Sequence, residues 1–118
     1  MWATLYGEKY KRHYFDINEI NFVIENKLKC ITYFINGEEI DLSWIDMKKV
    51  LSELAKVYSH DLGSTLYLNP NNIANYTLNS KYDIDVAMKN GIKLETILRA
   101  DFERNVLTKL NQEQERQL

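Results

Sequence analysis

Two asparagine–glycine pairs, Asn36-Gly37 and Asn90-Gly91, constrain this chain more than any other feature. Asn-Gly is the pair best suited to a two-residue type I′ hairpin turn, in which both central residues take positive φ. The run Lys29–Ile35 before the first pair is rich in β-branched and aromatic residues, and Glu38–Leu42 pairs back after it. Before the second pair, Tyr82, Ile84, Val86 and Met88 alternate with Asp83, Asp85 and Ala87. That period of two is the mark of a half-buried strand. Ile92, Leu94 and Thr96 return, with Lys93 and Glu95 facing out. Upstream, Tyr14, Phe15 and Ile17 predict a first strand, Asp16 to Glu19 a polar break, and Ile20 to Ile24 a second strand ending at an Asn26-Lys27 turn. Residues 1–10 carry Trp2, Tyr6 and Tyr10 without regular pattern.

Between the two hairpins the periodicity becomes helical. Trp44, Met47, Leu51, Leu54 and Tyr58 recur at steps of three and four, flanked by Ile45, Val50 and Val57, so one amphipathic helix is expected through Tyr58. Ser43 caps its start and Asp46 suits the first-turn dipole. Lys48, Lys49, Glu53 and Lys56 take the wet face, which we read as solvated rather than as a DNA-recognition face. The segment Ser64–Tyr76 (STLYLNPNNIANY) follows. Leu66 and Leu68 alternate with Tyr67 as in a strand, Pro70 belongs in a turn because it lacks an amide donor, and Ile73 returns the chain to a core. From Ala100 the pattern is helical again, with Phe102, Val106, Leu107 and Leu110 as the apolar stripe and a polar tail over 111–118 that is expected to fray. The expected class is therefore α+β: mainly antiparallel hairpins, one central amphipathic helix and one C-terminal helix.

A chain of 118 residues reads as a single domain over 1–118, large enough for a core without staples. A lone cysteine, Cys30, excludes an internal disulfide framework and a multi-cysteine metal site; its apolar setting makes it a core thiol. No apolar run approaches the roughly 20 residues that span a bilayer, and no signal-like segment opens the chain, so a cytoplasmic protein without membrane contact is expected. His13 near Asp16 and His60 near Asp61 are loop histidines and not a nucleophile site. Ligand spacing matches no zinc pattern, and the four glycines are scattered singly, so no phosphate-cradling loop is present. No catalytic residue, metal or cofactor is expected. The acid pairs Glu38-Glu39 and Asp83/Asp85 read as solubilising groups on or beside exposed strand faces.

The order INFVIE, KCITYFINGEEIDL, WIDMKKVLSEL, LYLNPNNIANY, YDIDVAMKNGIKLETI resembles the LytTR-type DNA-binding domain of bacterial response regulators over roughly residues 12–107. Leu68-Asn69 and Ile73 stand where that family has a Val-Asn-like pair and a following Ile. The resemblance implies a stand-alone regulator whose loops, on a β scaffold, contact successive major grooves of direct-repeat double-stranded DNA as a homodimer. It implies contacts from Asn26, Lys27 and Lys29 in the loop after INFVIE, where lysine suits phosphate and asparagine suits base edges. It also implies contacts from Ser64 and Thr65, and from Arg99 supported by Arg104. Where the family carries arginine, histidine and serine, this chain has Asp61, Gly63 and Thr65. That exchange and the formal net charge of −2 motivate a second reading. In it, an acidic module built on Glu38, Glu39, Asp41 and Asp46, with Asp83 and Asp85 apart, binds and inhibits a regulator or a nucleic-acid-binding protein.

Overall fold

The computed structural model of the chain describes residues 2–6 and 12–117. Residues 1, 7–11 and 118 lie outside the described residues, and with them the expectation for Tyr10 and the end of the polar tail; the segment Trp2–Tyr6, read as without regular pattern, is a strand. Ten strands are described: β1 Trp2–Tyr6, β2 Arg12–Asp16, β3 Ile20–Asn26, β4 Lys29–Phe34, β5 Glu39–Ser43, β6 Ala55–Ser59, β7 Ser64–Leu68, β8 Ile73–Leu78, β9 Asp83–Met88 and β10 Lys93–Leu98. Helix α1 covers Trp44–Leu51, and a second helix, α2, runs over 99–117. The fold is α+β. β1 and β2 form a small antiparallel sheet, and the other strands form one eight-stranded sheet in the order β5-β4-β3-β7-β6-β10-β9-β8.

Both Asn-Gly pairs make hairpins, but not type I′ turns. Only the glycines take positive φ, 91° at Gly37 and 89° at Gly91. Gly37 N–H donates to the Phe34 carbonyl and Phe34 N–H to the Glu38 carbonyl; Gly91 and Met88 repeat this with Met88 and Ile92. These are three-residue loops that end in a left-handed glycine. The asparagines contribute through their side chains: Asn36 Oδ1 accepts from Glu38 N–H and Asn90 Oδ1 from Ile92 N–H, both at 2.9 Å. The first turn falls at Lys27-Leu28, with Lys27 itself at φ 53°.

The central helix is shorter than its periodicity suggests. α1 is capped by Ser43 Oγ as expected, accepting from Ile45 N–H at 3.2 Å, but it stops at Leu51. Ser52 closes it through its own N–H and hydroxyl, and residues 55–59 become β6. The segment AKVYS satisfies both periods. Leu54 and Tyr58 are four apart, while Ala55, Val57 and Ser59 are two apart and buried. Pairing along β7, from Ala55 opposite Leu68 to Ser59 opposite Ser64, decides for the strand.

The eight-stranded sheet has two parts, a five-stranded half (β5 to β6) and a meander of β10, β9 and β8, linked by one backbone pair, Ile97 with Ser59. One core lies on one face of the five-stranded half, where Val23, Cys30, Leu42 and Phe34 meet Met47 and Leu51 of α1 and Leu5 and Phe15 of the small sheet. The other core unites Phe22, Leu66 and Val57 with Ile84, Val86 and Ile97 of the meander and Phe102 and Val106 of α2. In β10 the expected alternation breaks at Thr96. A bulge there, with φ 58° at Thr96, turns Ile97 into the core instead.

The turn Asn69–Asn72 clasps the two parts together. Asn69 Nδ2 donates to the Ile17 carbonyl, and Asn72 Nδ2 donates to the carbonyls of Asn18 and Ile20 at 2.6 and 2.7 Å. On its other side the Asn72 carbonyl accepts from Lys89 N–H in the second Asn-Gly hairpin. α2 substitutes for a strand along β6: Asp101 accepts from Tyr58 N–H at 3.1 Å and Asn105 donates to the Lys56 carbonyl at 2.6 Å. Within α2, Phe102–Leu107 is wound as a π-helix.

Candidate nucleic-acid interface

Five of the seven residues singled out for DNA contact lie at one end of the five-stranded half. Asn26 closes β3, Lys27 and Lys29 flank the tip of the β3–β4 turn, and all three are exposed. Ile24 pairs with Leu66, and continuing that antiparallel register brings Asn26 alongside Ser64, with Thr65 next to it. Ser64 and Thr65 are half-buried at the start of β7. Between the lysines Leu28 is 81% exposed, and its carbonyl accepts from Trp44 N–H, which ties the turn to the start of α1. A hollow of about 370 Å³ opens beside this turn, lined by Asn26, Lys27, Leu28, Lys29, Ile31 and Asp41.

Arg99 is joined to this end only through a relay of contacts. His60, in the β6–β7 turn, has Nε2 3.7 Å from Asp83 Oδ1. Arg99 donates its backbone N–H to the Tyr82 carbonyl, one residue away. The Arg99 guanidinium is already engaged by Glu103 at 2.7 Å and by the Lys81 carbonyl. Arg104 does not support Arg99. It bonds Asp101 at 2.7 Å and lines a different feature, a groove between α1 and α2.

The acids divide in the same way. Asp85 Oδ1 accepts from Thr96 N–H and from Asn79 Nδ2, so it holds the β10 bulge and the loop before β9 rather than merely solubilising the strand. Asp83 faces His60 and Ser80. Asp41 lies 3.6 Å from Lys29 Nζ, neutralising part of the candidate surface. Glu38, Glu39 and Asp46 stay exposed.

Cys30 is fully buried, and burial, helped by Glu25 and Asp41, pushes its thiol up to about 11, so it is a core group and not a nucleophile at neutral pH. Burial and a 2.8 Å hydrogen bond to Glu25 also raise the Tyr67 phenol. Among the described residues no cluster of His, Cys, Asp and Glu has the makings of a metal site. Sequence reasoning missed Lys56 and Tyr58 as members of a sheet face. Their alternation with Val57 was the available signal, and the helical period across the same residues masked it. No protein-family model, no curated protein and no solved structure matches this chain.

Proposed function

We propose that this protein binds double-stranded DNA as a transcriptional regulator in the cytoplasm, a homodimer on direct repeats, with the β3–β4 turn and the start of β7 as its contact end. The observation that carries the reading is the convergence at one sheet end of exposed Asn26, Lys27 and Lys29 with Ser64 and Thr65, from segments nearly forty residues apart in sequence. Lys27, exposed in the turn at φ 53°, offers a charge to solvent, which suits a phosphate contact. Arg99, linked to this end through the Tyr82 carbonyl and the His60–Asp83 contact, is the further arginine that the reading assigns to the duplex. In keeping with a role away from the bilayer, no described helix is long and apolar enough to cross a membrane.

Fluorescence anisotropy against direct-repeat duplex at two salt concentrations tests this. Saturable binding that falls with salt is expected, and Lys27→Ala should weaken it on every sequence and lower the salt slope by about one. Absence of saturable binding at low salt discards the reading. The acidic-module alternative has the weaker surface. Asp83 and Asp85 are occupied internally and Asp41 is paired, leaving Glu38, Glu39 and Asp46 to carry it.

A further inference from the structure

The chain carries a net charge of −2, yet one of its grooves is lined by cationic side chains. The groove measures about 620 Å³ and runs between α1 and α2, with Lys56 of β6 and Tyr67 of β7 among its lining residues. Trp44 and Lys48 line it from α1, and Arg104 and Lys109 from α2. Among the described residues no carboxylate lines it. Behind that lining Asp101 accepts from Arg104, and Glu25 accepts from the Tyr67 hydroxyl. Lys109 Nζ rests on the Ser52 carbonyl at 3.4 Å. Lys48 Nζ lies 5.9 Å from the Trp44 ring centroid, a weak contact for a side chain that is otherwise exposed.

Such a concentration of positive charge opposes folding unless something anionic compensates it. The Trp44 ring, half-buried at the groove wall, adds a flat apolar surface, and its indole N–H is buried without a hydrogen-bond partner. Buried donors in folded proteins are nearly always satisfied. The volume lies within the roughly 300–1,000 Å³ of small-molecule sites.

We propose that this groove binds a nucleoside phosphate, its base against Trp44 and its phosphate among Lys48, Lys56, Arg104 and Lys109. Charge-assisted hydrogen bonds hold the phosphate, and the aromatic wall holds the planar ring. The two halves of the ligand match the two chemistries of the groove, which an acidic peptide, without a planar ring at a fixed distance from its charge, does not. None of the residues assigned to duplex contact in the β3–β4 turn lines the groove, although the Leu28 carbonyl accepts from Trp44 N–H, so the two sites are distinct and adjacent.

The test uses Trp44 as its own reporter. Trp2 is 72% exposed, and Trp2→Phe leaves Trp44 as the one indole of the chain. Adenosine 5′-monophosphate should change Trp44 emission saturably, with adenosine and pyrophosphate each weaker by about tenfold or more. Lys48→Gln with Lys56→Gln, both on exposed side chains, should weaken the nucleotide by about tenfold without lowering the thermal melt. A short single strand that binds more tightly than the mononucleotide supports the site and assigns the nucleotide to a strand. No saturable response to the nucleotide overturns the proposal, as does an equal response to pyrophosphate or to a glutamate-rich peptide, or an unchanged response in the double variant. Duplex anisotropy on the same double variant separates the two readings: duplex binding that persists after nucleotide binding is lost leaves the β3–β4 turn as its site, and failure of duplex binding in the parent leaves the groove untouched.

Discussion

The five-stranded half and the three-stranded meander are built from similar residues, yet they are stabilised differently. In the five-stranded half, β3 buries Ile20, Asn21, Phe22 and Val23 in succession, because both of its faces are covered. Phe22 stacks on Tyr33 on one face at 4.6 Å, and Val23 joins the core beneath α1 on the other. In the meander only one face is covered. Ile84, Val86 and Met88 point in, while β8 exposes Ala74 through Leu78 to solvent. The meander therefore depends on what it borrows: the inner face of the other half, α2, and the Asn72 clasp. A sheet that is continuous by hydrogen bonding should thus be uneven in stability, with the meander, covered on one face, as its weaker part.

The comparison breaks most sharply at Phe102. This ring is fully buried in the shared core and lies 4.8 Å from the Tyr76 ring of β8. Phe102→Ala should cost about 4 kcal/mol, and native-state hydrogen exchange should show β8–β10 amides opening well before those of β3 and β4. Uniform loss across both halves would mean that they form one cooperative unit. Asn72→Ala should follow at about 2 kcal/mol, since two backbone carbonyls lose their donor, and urea melts should show it together with a lowered m-value if the halves uncouple. Cys30 sharpens the contrast from the other side, because it titrates only the core beneath α1. Its folded pKa of about 11 stands above the ordinary 9.0. The folded state therefore holds a proton that the unfolded state has lost, and stability present below pH 9 should decline toward pH 11 by of the order of 2 kcal/mol. The raised Tyr67 phenol adds to the same alkaline loss. Urea melts at pH 7 and pH 10 check this, and Cys30→Ala should flatten the slope. Asn105→Ala is the smallest change, about 1 kcal/mol, and should protect Lys56 and its neighbours less against exchange without touching the core beneath α1.

The same unevenness explains what was legible in the sequence. In the meander β9 was legible, because a strand with one wet face alternates cleanly, as Asp83 to Met88 does, while the end of β8 at Leu78 and the turn of Ile97 into the core were not. The fold class, the hairpins at Asn36-Gly37 and Asn90-Gly91 and the buried thiol were legible for similarly local reasons. What escaped was non-local. Insertion of β7 between β3 and β6 is written in no single window, and it converts the apparent end of the helix into β6. The Thr96 bulge escaped because Asp85, eleven residues away, holds it. Of the candidate site, the β3–β4 turn was legible from its exposed polar residues, and its neighbourhood with Ser64 followed from pairing that the sequence did not declare. The groove was invisible because Lys48, Lys56, Arg104 and Lys109 come from three elements that only the tertiary fold assembles.

The side chains of Asp101 and Asn105 occupy polar groups of β6 that a neighbouring strand would otherwise claim. Removing the chain beyond residue 98 would thus do more than shorten it. It would uncover the Tyr58 amide and the Lys56 carbonyl beside the apolar residues Ala55 and Val57, a template onto which another molecule's strand can zip. The C-terminal helix is in this sense a guard against self-association, and truncates should precipitate or exchange segments long before they lose their secondary structure.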